Sequence, residues 1–123
     1  FTLRIIYTAP MEDLAPNIYR QRMIIEGKPA FSITDTHIKK YLSGLSTALK
    51  MHTLLEPVTH LSPTFGWSGW IQWETSGAHF YAWDQPMLFC SVDIYTCKKF
   101  EPEAALEFTK KFFQMQEVVW KNV

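Results

Sequence analysis

Residues 63–97 read PTFGWSGWIQWETSGAHFYAWDQPMLFCSVDIYTC, and this stretch carries most of the information about the fold. It holds four of the five tryptophans, both cysteines and three closely spaced hydroxyl groups, those of Ser68, Thr75 and Ser76. Alternating residue types predict strands at 67–74, 78–84 and 88–96, with short turns between them. Aromatic rings beside hydroxyls, a thiol and a carboxylate are typical of a small-molecule site rather than of a bare core.

Each of these strands presents one apolar face and one polar-aromatic face, because successive side chains point to opposite sides of a sheet. The polar-aromatic face consists of Ser68, Trp70, Gln72, Glu74, His79, Tyr81, Trp83, Ser91, Asp93, Tyr95 and Cys97. From the residues alone, this face fits a ligand site and a solvated or dimer-covered sheet surface equally well.

The elements on either side of this stretch complete the prediction. LRIIYTA at 3–9 predicts a buried strand, and the prolines and glycine of 10–35 predict an irregular insertion with a short helix at 16–25. Thr36 is expected to cap a helix over 37–51, a strand follows at 53–61, and Pro102 is expected to begin a second helix. The buried stripe of that second helix would consist of Ala105, Phe108, Phe112 and Val119. We therefore predict one α+β domain over 1–123, a two-layer sandwich of a mostly antiparallel sheet with two main helices on one face.

Composition and charge exclude several classes of function. Twelve basic and twelve acidic residues give no net charge, so nothing favours nucleic acid or an anionic membrane as a partner. No apolar run reaches the roughly 18 residues of a membrane span. Cys90 and Cys97 are expected on opposite faces of one strand, where they cannot bond to each other, which favours a reducing, cytoplasmic location. The four histidines lack metal-ligand spacing, so no metal is expected.

Three motifs in the central stretch resemble the prokaryotic, pyruvoyl-dependent S-adenosylmethionine decarboxylase family, with this chain as a divergent member. SVDIYTC resembles the VDVFTC-type strand of that family, GWSGWIQWETS resembles its GVSGVVVIAES, and AHFYAWDQP resembles its HLAIHTWPE. EPEAALEFTKKFF falls where the family has its last helix. The resemblance extends over 37–113, whereas residues 10–35 have no counterpart.

The resemblance implies a cofactor that the chain makes from itself. In the family, a serine attacks the preceding carbonyl, the chain breaks and the serine becomes a pyruvoyl group, which binds the substrate amine and accepts electrons during decarboxylation. By position, Ser76 matches the pyruvoyl-forming serine and Ser68 a serine that assists processing. Cys97 matches the cysteine that reprotonates the product, and Trp83 matches the family tryptophan. The implied activity belongs to polyamine (spermidine) biosynthesis, and the implied assembly is a homodimer that associates through its sheets.

The departures from the family pattern concern self-cleavage. Tyr81 stands where the family has the histidine needed for processing, Thr75 replaces the glutamate before the cleaved serine, and Gly77 replaces a histidine after it. A phenol is a poorer proton carrier at neutral pH than an imidazole. Self-cleavage is therefore expected to be slow or absent unless His79, on the same strand face as Tyr81, takes over this role.

Four residues are the candidate substrate-binding set: Trp83, Phe65, Glu74 and Asp93. Aromatic rings stack on adenine and attract a sulfonium cation, and the carboxylates suit an amino or hydroxyl group of S-adenosylmethionine or a related amino acid. Two alternatives stay open. One is a lyase or hydrolase that binds S-adenosylmethionine and uses Glu74 or the Tyr81 hydroxyl as a base; the other is a non-catalytic ligand-binding paralogue on the same fold.

Overall fold

The computed structural model describes residues 11–123, which form one antiparallel sheet with two helices packed on one side. The elements are β1 (Gln21–Lys28), α1 (Asp35–Ala48), β2 (Thr53–Ser62), β3 (Gly66–Trp73), β4 (Ser76–Trp83), β5 (Phe89–Thr96), α2 (Pro102–Phe112) and β6 (Glu117–Asn122). The strands lie in the order β2-β3-β4-β5-β1-β6, and every neighbouring pair is antiparallel. The predicted two-layer α+β sandwich is confirmed.

The apolar face of the sheet is covered by the helices, which meet each other above it. Tyr41 of α1 is fully buried, and its hydroxyl oxygen lies 2.6 Å from Thr109 Oγ1 of α2. Burial raises the pKa of Tyr41 well above its ordinary value, so this phenol stays neutral. The indole N–H of Trp73 on β3 donates to Ser46 Oγ on α1 at 2.7 Å. The largest core side chain thus has its polar atom satisfied, and this hydrogen bond ties α1 to β3.

The prediction of an irregular segment over 10–35, with a helix at 16–25, is wrong at residues 21–28, whereas residues 29–34 have no regular secondary structure, as predicted. Residues 21–28 form β1, which lies inside the sheet between β5 and β6. Met23 and Ile25 are buried and alternate with more exposed residues, which is the period of a strand and not of a helix. Gly27 is a packing glycine and not a loop breaker: a Cβ there would lie 2.5 Å from Met115 Sδ and 2.7 Å from the Glu117 carbonyl oxygen.

The helix boundaries differ from the predicted ones by a few residues. The N-cap of α1 is Thr34, whose backbone N–H donates to His37 Nδ1 at 3.0 Å, and the predicted cap, Thr36, lies inside the helix. The helix ends at Ala48 rather than near 51, and Lys50 has a φ of 59°, which is outside the helical region. The second helix begins at Pro102, as predicted.

The sequence does not predict β6. Val119, expected on the buried stripe of α2, lies instead in β6 and pairs with Glu26 of β1. The chain leaves the helix after Phe112, and Gln114 takes a φ of 51° before the strand begins. The strand predicted at 3–9 lies outside the described residues.

Candidate active site on the open sheet face

The face of the sheet opposite the helices is open, and it carries the polar and aromatic side chains that the period-two pattern of the strands predicts for one face. On β4, His79 and Tyr81 are exposed while Ala78 and Phe80 are buried. The same alternation holds on β3 and β5, where Asp93 lies on the open side. The predicted polar-aromatic face is therefore a real surface of the protein.

Ser76, the residue expected to form the pyruvoyl group, has an unusual backbone conformation. Its φ is 129°, in a region that residues with a Cβ atom avoid. Regular alternation along β4 would turn its side chain to the covered face beside Ala78. Instead its Oγ lies 3.8 Å from Sγ of the exposed Cys97. The start of β4 runs beside the end of β5, so two residues separated by 20 others come together.

The peptide bond before Ser76 is held from β5. The backbone N–H of Cys97 donates to the Thr75 carbonyl oxygen at 2.8 Å. The hydroxyl of the fully buried Thr96 donates to Thr75 Oγ1 at 3.0 Å. These bonds fix the Thr75 carbonyl next to the serine and place an N–H donor on the oxygen that gains negative charge when the carbonyl carbon is attacked.

A cavity of about 360 Å³ opens beside Ser76, a volume within the range of small-molecule sites. Asp93, His79, Trp70 and Tyr95 line it. His79 faces Asp93 across the β4–β5 pair and Trp70 across the β3–β4 pair, with its ring centroid 6.5 Å from that of Trp70. The structure thus places His79, and not Tyr81, in the cavity that contains Ser76.

A second cluster lies further along the same face. Ser68 and Tyr81 are directly opposite each other on β3 and β4, and they line a cavity of about 270 Å³ together with Phe65 and Trp83. The rings of Tyr81 and Trp83 are 6.4 Å apart. The two aromatic candidates for substrate binding, Phe65 and Trp83, therefore lie with Ser68 and not with Ser76.

The two clusters do not meet within one chain. Tyr81 lies five residues beyond Ser76 on β4, which separates their Cα atoms by about 16 Å at ~3.3 Å per residue. Glu74 joins neither cluster: it is exposed in the β3–β4 turn, and its N–H donates to the His52 carbonyl at 2.9 Å. Asp93 is therefore the candidate carboxylate that the structure brings to the Ser76 cavity.

Sequence reasoning missed Arg22, whose guanidinium carbon lies 4.5 Å from the centroid of the Tyr95 ring, beside the Ser76 cavity. It was hidden by the prediction of a helix at 16–25. The alternation of Met23 and Ile25 with polar neighbours was the signal that could have placed Arg22 on the open face.

The two thiols differ in environment. Cys90 is buried, and burial raises its pKa to about 12, whereas Cys97 is exposed. Among residues 11–123, no three His, Cys, Asp or Glu side chains are grouped so that they could hold a metal ion. Neither helix in this part of the chain has the length and hydropathy of a membrane span.

Fold and site together define a class: a two-layer α+β protein with a conformationally strained serine and a thiol at the edge of an open sheet-face cavity. The sequence profile of the S-adenosylmethionine decarboxylase family matches residues 28–123, and the chain belongs to this family. The resemblance carried by the motifs is thereby confirmed.

Among solved structures, the adenosylmethionine decarboxylase from Aquifex aeolicus VF5 is similar to this chain. The TM-score is 0.71 at 12% sequence identity, over 86% of this chain and 89% of that one. At this identity the likeness establishes a shared fold. No curated protein matches the chain significantly in sequence.

Proposed function

We propose that this chain is an S-adenosylmethionine decarboxylase of polyamine biosynthesis that converts its own Ser76 into a pyruvoyl group. The observation that carries the proposal is the arrangement around one peptide bond. Ser76 is strained at a φ of 129°, its hydroxyl lies 3.8 Å from the Cys97 thiol, and the preceding carbonyl accepts a hydrogen bond from the Cys97 N–H. The two free cysteines suit a cytosolic enzyme.

Self-cleavage needs groups that already lie beside this bond. The Ser76 hydroxyl attacks the Thr75 carbonyl carbon, the bond to the Ser76 nitrogen breaks, and an ester forms through Oγ. Loss of the Ser76 α-proton and of the Cβ–Oγ bond then frees Thr75 as a carboxylate, and water converts the remaining enamine to a ketone with release of ammonia. The Cys97 N–H stabilises the negative charge on the attacked carbonyl, and cleavage relieves the strain at Ser76.

The residues of the Ser76 cavity fit decarboxylation chemistry. A ketone at position 76 would supply that chemistry, since it condenses with a substrate amine and accepts the electron pair left when carbon dioxide departs. The Cys97 thiol is close enough to return a proton to the product. The Trp70 ring lines the cavity, and a ring face attracts a sulfonium cation by roughly 0.5–2 kcal/mol.

A homodimer would unite the two clusters that one chain keeps apart. Both lie on the open face, about 16 Å from each other at ~3.3 Å per strand residue. A two-fold axis parallel to the sheet and midway between them would set Ser68 and Tyr81 of one copy over Ser76 and Cys97 of the other. Exposed apolar side chains on this face, Val58 and Tyr81 among them, favour such a contact.

Intact mass spectrometry tests self-cleavage directly. The wild-type protein is expected to yield two fragments that break between Thr75 and Ser76, with a ketone in place of the amino terminus of the second one. Ser76→Ala, which has no hydroxyl to attack the carbonyl, is the matched control and should stay whole. Release of labelled carbon dioxide from carboxyl-labelled S-adenosylmethionine should follow the cleaved fraction. A wild-type mass that remains intact after prolonged incubation would rule out pyruvoyl chemistry.

Hybrid dimers test the shared site. Ser68→Ala and Ser76→Ala subunits are each expected to be inactive alone. In a mixed dimer, one of the two sites receives both intact residues, so co-expression should restore activity. Co-expression that restores none would contradict a site built from two copies.

A second candidate, a non-catalytic paralogue that binds S-adenosylmethionine, is favoured by one observation. Tyr81 occupies the position of the family histidine and, as a phenol, is a weak proton carrier at neutral pH. Calorimetry distinguishes the two candidates: binding of S-adenosylmethionine by a wild-type protein that stays whole supports the paralogue.

A further inference from the structure

The open sheet face carries one positive and one negative side chain, Arg22 and Asp93, that take no part in the proposed self-cleavage. Arg22 on β1 lies directly opposite Tyr95 on β5, and Asp93 is two residues from Tyr95 on the same face. The backbone positions of diagonal neighbours of this kind in an antiparallel sheet are about 7–8 Å apart. Asp93 and Tyr95 line the Ser76 cavity, and the Arg22 guanidinium lies over the Tyr95 ring, so a positive and a negative charge stand beside this cavity.

Neither charge is used inside the described part of the protein. Arg22 forms no ion pair there and is stacked over the Tyr95 ring at 4.5 Å, and Asp93 likewise has no ion-pair partner. The neighbouring Arg20 is a useful contrast. Its guanidinium binds Asp13 at 2.7 Å and also two backbone carbonyls. The charge of Arg20 is therefore paired within its own segment, whereas Arg22 has no carboxylate partner among residues 11–123.

We infer that Arg22 and Asp93 form a subsite for the zwitterionic head of a free α-amino acid. Arg22 binds the carboxylate through its planar donor pair, with the guanidinium held against the Tyr95 ring, and Asp93 accepts from the ammonium group. The inference rests on the proposed function, since it assigns the head of the substrate to the Ser76 cavity, but binding requires no cleavage at Ser76.

The subsite has a kinetic consequence. Decarboxylation removes the charge of the carboxylate, so Arg22 holds the substrate more tightly than the transition state. Arg22→Gln is expected to raise KM several-fold and to raise kcat with it, because the lost interaction stabilises the ground state more than the transition state.

Calorimetric titration of the Ser76→Ala protein separates binding from processing. The probes are S-adenosylmethionine, its decarboxylated form, which lacks the carboxylate, and 5′-methylthioadenosine, which lacks the whole head group. The Ser76→Ala protein should prefer S-adenosylmethionine over the decarboxylated form by about fivefold, the worth of an exposed charge pair. Adding Arg22→Gln should abolish that preference. Adding Asp93→Asn should weaken both amine-bearing probes and leave 5′-methylthioadenosine unchanged.

Lys121→Gln is the matched control, because it removes one exposed positive charge from the same face without lying opposite Tyr95. This variant should keep the fivefold preference. An equal preference with and without Arg22, or no binding of S-adenosylmethionine by the Ser76→Ala protein, overturns the inference. Failure of the proposed function is seen separately, as a wild-type protein that never cleaves.

Discussion

Because the backbone of Ser76 is strained, we expect a glycine at this position to make the protein more stable than an alanine does. In an ordinary strand, glycine is about 0.5–1 kcal/mol worse than alanine, because it loses more backbone freedom on folding. At Ser76, φ is 129°, where a Cβ atom costs on the order of 1–3 kcal/mol. The difference of the two effects leaves Ser76→Gly more stable than Ser76→Ala by about 1 kcal/mol.

Comparing the glycine and alanine variants avoids the complication of self-cleavage, since neither has the Ser76 hydroxyl. Urea denaturation should show a higher midpoint for Ser76→Gly at an unchanged slope, and its Tm should be about 3–5 °C higher. Ser68, inside β3, supplies the control pair: there, the glycine variant should be the less stable one. If Ser76→Gly were equal to or below Ser76→Ala in stability, the strain at this residue would not exist and the argument that strain assists cleavage would fail.

Three further predictions concern the core and the thiols. Burial raises the pKa of the Cys90 thiol to about 12 from an ordinary value of 9.0. As pH rises, the thiol therefore ionises in the unfolded chain before it ionises in the folded one. The free energy of unfolding should consequently fall as pH rises from about 9 towards 12. Urea midpoints measured across this range should decline less in Cys90→Ala; the remaining decline, above about pH 10, belongs to the buried Tyr41. A thiol reagent should modify one cysteine per native chain, Cys97, and a Cys97→Ala protein should react only after unfolding. Trp73→Phe removes the indole donor to Ser46 and should cost about 1–3 kcal/mol of unfolding free energy, measured by the same denaturation; an unchanged midpoint would show that this buried hydrogen bond contributes nothing.

The strands of the central stretch could be predicted because their pattern is local. Each alternates apolar and polar residues over about eight positions, so the faces of β3, β4 and β5 follow from period two alone. The strand β1 was missed because the signals at Pro16, Gly27 and Pro29 outweighed a short alternation. Gly27 is present for a packing reason, its contact with Met115, which only the folded chain reveals.

The sequence motifs point to candidate site residues but not to how these residues are arranged. The motifs identify Ser76 and Cys97, and the structure brings these two together. The separation of Ser68 and Tyr81 from Ser76, and the approach of Arg22 to Tyr95, depend on which residues pair across strands. Pairing register and strand order arise from long-range packing, so no single segment of sequence specifies them.

The position of the Thr75–Ser76 bond determines what becomes of the protein if that bond breaks. The first fragment would contain β1, β2 and β3, and the second would contain β4, β5 and β6. In the sheet order β2-β3-β4-β5-β1-β6, strands of one fragment lie between strands of the other. Three of the five strand pairings, β3–β4, β5–β1 and β1–β6, therefore join the two fragments. A cut chain would therefore remain interlocked: it would sediment as an uncut particle and separate into two bands only in denaturant.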